Sequence, residues 1–434
     1  MTSTTISRLV LATLGLGGLA ATTAFGPPAK PTPPQKGIGI NLANIDPSVQ
    51  PCEDFYHYAN GTWLKNNPVP AAETRWGSFN ELANNNQAVE RRILEKAAAN
   101  RTAKAGSNDQ KVGDFYAAAM DSVGIEKAGL KYLQPRLDEV KNLKSLADVQ
   151  KYMASPHYSG GWYGMGVGQD SKNSTQYAVQ LRQGGLGLGD RDYYLKQDGR
   201  SKAVRTAYKA YMTSIFQLLG DAPSLAATNA DAVLALETKI AEASRDRVAL
   251  RDRLKNYNKV PVAQAVKDYP NLNLPLRLKE AGLGSAQDVL IGQPEFLAAV
   301  NNLMANTPIA DQQQYLRWNL VDGVTSALPR AYGDASFRFQ QVLTGAKQQQ
   351  PRWKRALRAT DGALGEAFGQ LYVDEAFSPA AKAKAKEMVE NLRKAYAERI
   401  MATDWMSADT KKEAIQKLNA FAVKIGYPDK WKDY

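Results

Sequence analysis

Residues 51–64, which read PCEDFYHYANGTWL, are the most distinctive stretch of this chain. Two later stretches have a similarly unusual composition: residues 185–195 read GLGLGDRDYYL, and residues 405–431 begin with WMS and end with IGYPDKW. Trp, Tyr and Asp-Arg-Asp clusters are uncommon in a chain of average composition, so three such stretches in order form a specific pattern. The periodicity of the residues between them indicates the fold class.

Most of the chain between these stretches has the period of an α-helix. Apolar residues from Phe79 to Ala97 recur at i, i+3, i+4 and i+7. Ser78 and Glu81 predict a capping box in front of this helix. A second box, Ser-x-x-Asp, predicts a helix that opens at Ser145. A last helix is predicted between Ser407 as N-cap and Gly426 as stop signal, with Phe421 buried.

One region departs from the helical period. Two short extended runs, Trp162–Val167 and Gln176–Leu181, flank a polar turn and predict a β-hairpin. The glycines of residues 185–189 do not form Gly-x-Gly-x-x-Gly, so they predict a tight turn rather than a phosphate loop. The sequence therefore predicts a mainly α, multi-helix fold with a small β-hairpin.

Length and charge limit the classes of function. A chain of 434 residues exceeds the usual size of one core, so two or more subdomains are expected. The net charge is +12, but the charges are spread along the chain, and the densest basic stretch, 245–255, is predicted to be a solvated helix face. No nucleic-acid partner is expected. Cys52 is the only cysteine, which excludes an intrachain disulfide.

The N-terminus has the pattern of an export signal. A basic residue, Arg8, precedes an apolar run from Leu9 to Ala24 that is rich in small residues and predicts a signal peptide over 1–24. Residues 25–37 contain five prolines and predict an extended linker. The protein is therefore expected to be exported, to the periplasm or the extracellular space, with a retained N-terminal membrane anchor as the alternative. No other run is long enough to cross a membrane.

The histidines limit the metal chemistry. His57 and His157 are the only two, so no helical His-Glu-x-x-His stretch is present to hold zinc. Glu53 and His57 are four residues apart and are predicted to pair on a helix face rather than to share a metal. We therefore expect no metal ligand and no catalytic residue within these 434 residues.

The three distinctive stretches together resemble the N-terminal region of the neprilysin and endothelin-converting-enzyme family of zinc metallopeptidases. The resemblance runs in order over residues 38–434 and implies one N-terminal peptidase domain of that family. In the family the His-Glu-x-x-His segment lies downstream of the Gly-Tyr-Pro-Asp stretch, in a C-terminal catalytic domain that is absent here. The resemblance thus implies zinc in the complete enzyme and a helical region that encloses a cavity for peptide substrates.

The resemblance also implies roles for two individual positions. Arg75 matches a neprilysin arginine that pairs with a peptide's terminal carboxylate, and a plain surface arginine at a helix entry is the alternative. Neprilysin has a second arginine where this chain has Ala83, which favours endopeptidase cleavage over removal of C-terminal dipeptides. Animal members place a disulfide at the positions of Cys52 and Asn60, so Cys52 is expected to be a buried free thiol.

Two functions follow as hypotheses. The first is the substrate-enclosing N-terminal region of an exported zinc metalloendopeptidase that acts on peptides and is inactive without its own C-terminal catalytic domain. The second is a self-contained secreted helical binding module without peptidase activity. The coding sequence beyond Tyr434 separates them, because only the first requires a continuing frame with His-Glu-x-x-His.

Overall fold

The computed structural model describes residues 39–156, 158 and 160–434. The predicted signal peptide (1–24) and linker (25–37) lie outside the described residues, as does His157. The chain divides into two compact units, one ending at Asn67 and the other running from Pro68 to Tyr434.

Helices make up most of the described chain, and a small sheet accompanies them. The α-helices of the described residues are α1 Phe55–Asn66, α2 Ser78–Ala99, α3 Asn108–Met120, α4 Ser122–Ala128, α5 Gln134–Lys141, α6 Leu146–Ala154, α7 Asp192–Leu195, α8 Gly199–Leu218, α9 Pro223–Ala243, α10 Val262–Asp268, α11 Leu274–Glu280, α12 Pro294–Asn306, α13 Ile309–Asp322, α14 Arg330–Thr344, α15 Arg352–Ala376, α16 Pro379–Ala402 and α17 Ala408–Asn419. The strands are β1 Tyr163–Gln169, β2 Tyr177–Gln183, β3 Asn258–Pro261 and β4 Asp288–Ile291. The predicted fold class is confirmed.

The sheet has the strand order β1-β2-β4-β3. The predicted hairpin is β1 paired antiparallel with β2, and each strand begins one residue later and ends two residues later than the sequence indicated. β2 pairs in parallel with β4, and β3 pairs antiparallel with β4. The sequence does not predict β3 and β4, because four-residue strands carry too short a pattern to separate from loops.

The large core of the second unit lies between the sheet and the helices from α5 to α14. It is rich in aromatic side chains that are fully buried, among them Trp162, Tyr208, Phe216, Tyr315 and Trp318. Edge-to-face ring pairs join Trp162 to Tyr315 and Tyr208 to Trp318, at centroid distances of 5.3 and 5.6 Å. These rings fix the sheet against the helices without any disulfide.

The small core of the second unit packs α2, α3 and α15 together. Ile93 and Leu94 from α2 and Val112 from α3 are buried against Leu357 and Phe368 from α15. The chain therefore leaves the small core after α3, builds the large core, and returns to the small core at α15. The first crossing is at Asp121 and the second is the segment 345–351.

Two helix predictions need correction. Ser78 is the first residue of α2 rather than its cap, and the N-cap Gly77 has no side chain to bond, so the Ser78–Glu81 box does not form. Phe79 is 86% exposed, because the buried residues of α2, which are Ile93, Leu94 and Ala97, all lie in its second half. α17 does begin after the N-cap Ser407, but it ends at Asn419, which leaves Phe421 exposed beyond the helix.

The first unit corrects two predictions about residues 51–64. Asp54 is the N-cap of α1 and pairs with His57, with 2.7 Å between Oδ2 and Nδ1, so the predicted Glu53–His57 pair is wrong. Glu53 precedes the helix and cannot share its face. Cys52 lies in the same turn and is exposed, not buried.

The basic stretch 245–255 is also not a helix face. It forms a loop around a short 3-10 helix, Ala249–Arg251. Arg245 is largely covered and pairs with Glu295, with 2.5 Å from Nε to Oε1. Arg247 pairs with Asp190 at the same separation. These ion pairs balance the positive charges of Arg245 and Arg247 at the edge of the large core.

Candidate functional site

The stretch 185–195 builds a buried polar network in the large core. Glu237 of α9 is fully buried, and its carboxylate accepts hydrogen bonds from the hydroxyls of Tyr194 (2.7 Å) and Tyr208 (3.1 Å). The indole Nε1 of Trp318 donates in turn to Tyr208 Oη (2.9 Å). Gly187 passes so close that an added Cβ would lie 1.9 Å from Tyr208 Oη. The glycine-rich turn therefore packs its backbone against this network.

The network changes the titration of its carboxyl group. Burial raises the pKa of Glu237 from 4.5 to about 8, against the opposing hydrogen bonds from Tyr194 and Tyr208. A raised pKa in a cleft would suggest a catalytic acid, but this carboxyl has no exposed surface. Glu237 is therefore a structural residue.

The stretch 425–431 is also structural. Tyr427 stacks on Trp431 with a centroid distance of 5.8 Å and meets Phe377 edge to face at 6.0 Å. Lys382 of α16 lies 4.1 Å above the Tyr427 ring, and its Nζ donates to the Tyr427 carbonyl oxygen (2.8 Å). This aromatic cluster ties the end of the chain to the junction of α15 and α16.

A polar groove lies beside the predicted substrate residue Arg75. The segment that carries Arg75 is held to the second crossing, because the backbone N–H groups of Lys347 and Gln348 both donate to the Ala71 carbonyl oxygen (2.9 and 3.0 Å). The Gln350 amide donates to Glu73 Oε1 (3.1 Å). These bonds fix the backbone at Ala71, four residues before Arg75, and the side chain of Glu73, two residues before it.

The groove encloses about 440 Å³ and is lined by residues 72–74 on one side and by α14 and α15 on the other. α15 contributes Arg355 and Arg358, and Arg358 Nη1 donates to Gln350 Oε1 (2.5 Å). Arg75 follows the lining residue Thr74 and is exposed. It has neither a hydrogen bond nor an ion pair to any residue that the structure describes. Its guanidinium is thus available to an external carboxylate.

Sequence reasoning missed Arg355 and Arg358. The signal was present, because Arg352, Arg355 and Arg358 follow at i, i+3 and i+6 and so share one face of α15. Ala83, which the resemblance places at the family's second arginine, is the sixth residue of α2. The cations that line the groove with residues 72–74 therefore come from α15, a different helix than the family pattern suggested.

The described residues do not fit a zinc ion. Within 39–156, 158 and 160–434, no three His, Cys, Asp or Glu side chains come together as a metal site. His57 is engaged with Asp54. Asp190 and Asp192 form ion pairs with Arg247 and Lys196, as expected for structural residues. No catalytic step through zinc is derived for this chain.

Large apolar side chains are exposed on two helices. α16 buries none of its residues, and its Met388, Leu392 and Tyr396 lie on one face at i, i+4 and i+8 with 60, 53 and 61% exposure. Phe79 and Leu82 are exposed in the first turns of α2, directly after Arg75. Exposed apolar patches of this kind mark interaction surfaces more often than chance.

Comparison with known proteins agrees with this arrangement. The sequence model of peptidase family M13, N-terminal part, matches residues 51–428. The chain belongs to peptidase family M13. It is similar to endothelin-converting enzyme 1 of Bos taurus, with 32% identity over 407 residues that cover 89% of this chain and 53% of that protein. It is also similar to an endothelin-converting enzyme homolog of Locusta migratoria, with 30% identity over 89% of this chain and 56% of that protein.

The fold is that of a solved M13 structure. The zinc metalloprotease Zmp1 of Mycobacterium tuberculosis, in complex with an inhibitor, aligns with a TM-score of 0.85 and 32% identity. The alignment covers 91% of this chain and 60% of Zmp1. The chain thus spans about half the length of the curated M13 relatives and corresponds to their N-terminal region, which confirms the predicted family resemblance.

Every helix in the part of the chain that the structure describes is too short or too polar to cross a membrane. The predicted anchor alternative concerns residues 1–24 and stays a prediction, as do the boundaries of the signal peptide and the linker.

Proposed function

We propose that this chain is the substrate-enclosing N-terminal region of an exported M13 zinc metalloendopeptidase that acts on peptides. Membership of the family carries the proposal, together with the exposed apolar faces of α2 and α16. In this proposal the faces pack against a C-terminal catalytic domain, which supplies the zinc ligands. The predicted signal peptide over 1–24 supports export, and the absence of His-Glu-x-x-His from the sequence supports inactivity of the chain alone.

The isolated chain is expected to bind no stoichiometric zinc and to cleave no peptide, because it lacks the zinc-ligand sequence. Metal analysis of the dialysed protein and a peptide-digestion assay with and without a chelator check this. Tightly held zinc at one ion per chain, or hydrolysis that the chelator abolishes, would show that the catalytic site lies within these residues.

The apolar face of α16 is expected to cause self-association of the isolated chain. Replacing both Leu392 and Tyr396 with Lys should shift the protein toward the monomer in sedimentation velocity. The free energy of unfolding should change by less than about 0.5 kcal/mol, because both side chains are exposed. Leu254→Lys is the control, since Leu254 is exposed in a loop outside α16. Equal association of both variants and the native chain would count against the α16 face.

We also propose that Arg75 binds the terminal carboxylate of a peptide. The arginine is exposed, so an ion pair there contributes about 1 kcal/mol, or roughly fivefold in Kd. Arg75→Gln should weaken binding of a fluorescent peptide with a free C-terminus by that factor in an anisotropy titration. The same peptide with an amidated C-terminus should bind the native chain and the variant alike. Arg253→Gln, at an exposed loop arginine, is the control. Equal affinity of the native chain for the free and the amidated peptide would refute this role.

A further inference from the structure

We propose that the cavity between the two chain crossings is a binding site for a small oxyanion of the phosphate or carboxylate class. The crossing cavity has a volume of about 530 Å³. Ser122 and Glu126 line it from the helix that follows the first crossing, and Gln349, Arg352 and Arg355 line it from the second crossing and α15. Thr325 and Ser326 add hydroxyl groups from a short 3-10 helix before α14.

None of the three arginines of α15 has an acidic partner among the described residues. Arg352 Nε donates to the carbonyl oxygen of Ala119 (3.1 Å), and Arg358 donates to Gln350. Arg355 makes neither a hydrogen bond nor an ion pair with any described residue, and its Nε atom is fully buried. The two Nη atoms of Arg355 are not buried, and they too lack an acceptor among the described residues, so they are free to donate to a ligand in the cavity.

The electrostatics of the cavity favour an anion over a neutral ligand. Burial, then Arg352 and Arg358, lower the pKa of Arg355, and Asp334 opposes them. Both carboxylates that line the cavity already accept hydrogen bonds from Arg330. Glu126 accepts from the backbone N–H of Arg330 (2.6 Å), and Asp334 accepts from the side-chain Nε–H of Arg330 (3.2 Å). An oxyanion would relieve the repulsion among the arginines, and a guanidinium can bind two of its oxygens at once.

The end of α15 adds to this preference. α15 is 25 residues long, its N-cap is Pro351, and no side chain caps its first turn. Its free N–H groups and the positive end of its dipole lie beside Arg352, the first residue of the helix. The volume lies within the range of small-molecule sites, so phosphate or a carboxylate fits with ordered water.

Binding in the crossing cavity has a mechanical consequence. The ligand would contact residues that follow the first crossing and residues of the second crossing, which are the two places where the chain passes between the cores. An anion held by both would stiffen these connections and stabilise the folded chain by mass action. The crossing cavity shares Arg355 with the groove beside residues 72–74. The inference still does not depend on peptidase function, because Arg352, Ser122 and Glu126 line the crossing cavity alone and its ligand is a small anion rather than a peptide.

The test uses the full chain with inorganic phosphate and, in a separate arm, acetate, at constant ionic strength set with sodium chloride. Phosphate should raise the Tm by about 2 °C or more, with saturation and a stoichiometry of one by calorimetry. Arg352→Gln and Arg355→Gln should each weaken binding at least tenfold, and Arg355→Lys should weaken it less because the charge remains. Arg253→Gln should bind like the native chain. Hydrogen exchange of residues 119–123 and 345–352 should slow on binding.

The outcomes separate the ligand sources. Saturable binding of acetate but not phosphate supports the site and assigns it to carboxylates. Absence of saturable binding in both arms overturns the proposal. A Tm shift of equal size in the native chain, Arg352→Gln and Arg355→Gln is a general salt effect and also overturns it. If Arg355→Gln fails to fold, Arg352→Gln and Arg355→Lys carry the same comparison.

Discussion

Gly187→Ala is expected to destabilise the chain by roughly 3 kcal/mol or more, a large part of the stability of an ordinary domain. The added Cβ would lie 1.9 Å from Tyr208 Oη and 3.3 Å from Glu237 Oε1. Relief of the clash requires Tyr208 to move, and this breaks its hydrogen bonds to Glu237 and Trp318. Both the overpacking and the loss of two buried hydrogen bonds are unfavourable.

Urea unfolding followed by tryptophan fluorescence measures this effect. Two glycines with open space at the Cβ position serve as controls: Gly199, at the start of α8, and Gly362, inside α15. Alanine at Gly362 should be neutral or stabilise the chain by up to about 1 kcal/mol, because alanine is the better helix former. If Gly187→Ala unfolds at the same urea concentration as Gly362→Ala, the network around Glu237 does not have the packing described.

Glu237→Gln is expected to remove a pH dependence from the free energy of unfolding. In the folded chain burial raises the pKa of Glu237 to about 8, whereas its ordinary value is 4.5. Between these values the folded state binds a proton that the unfolded state has lost. The stabilisation is therefore complete below about pH 4.5 and is lost as the pH rises toward 8, by about 1.4 kcal/mol per pH unit.

The difference between the native chain and Glu237→Gln isolates this group from the other carboxyls. Asp322 is also buried and its pKa is raised by burial, so the native profile alone would mix two contributions. Urea midpoints measured from pH 5 to 8.5 should show the native chain losing stability relative to the variant over this range. Glu242→Gln, at an exposed position near the end of α9, is the control. Parallel profiles for the native chain and Glu237→Gln would contradict the buried, protonated state.

The fold class could be predicted from the sequence because local patterns determine it. Helical periodicity, the box at Ser145 and the N-cap at Ser407 all have the predicted structure. The start of α2 was harder, since its apolar residues follow the helical period whether or not a partner covers them, and Phe79 is exposed. Periodicity shows which residues share a face, but only tertiary packing decides whether that face is buried.

The candidate site was predicted only in part. Arg75 came from a family resemblance, and its groove depends on backbone bonds from Lys347 and Gln348 to Ala71, which no local pattern indicates. Arg355 was missed because a helical arginine is normally solvated. The burial of its Nε atom depends on packing between segments that are far apart in sequence. Cys52 was expected to be buried, but its turn is exposed.

The proposed function requires a C-terminal catalytic domain in addition to this chain. Determining the coding sequence beyond the codon for Tyr434 tests it most directly. We expect the frame to continue and to encode a His-Glu-x-x-His segment followed by a further glutamate ligand. A stop codon immediately after Tyr434 would contradict the claim and would favour a self-contained secreted binding module.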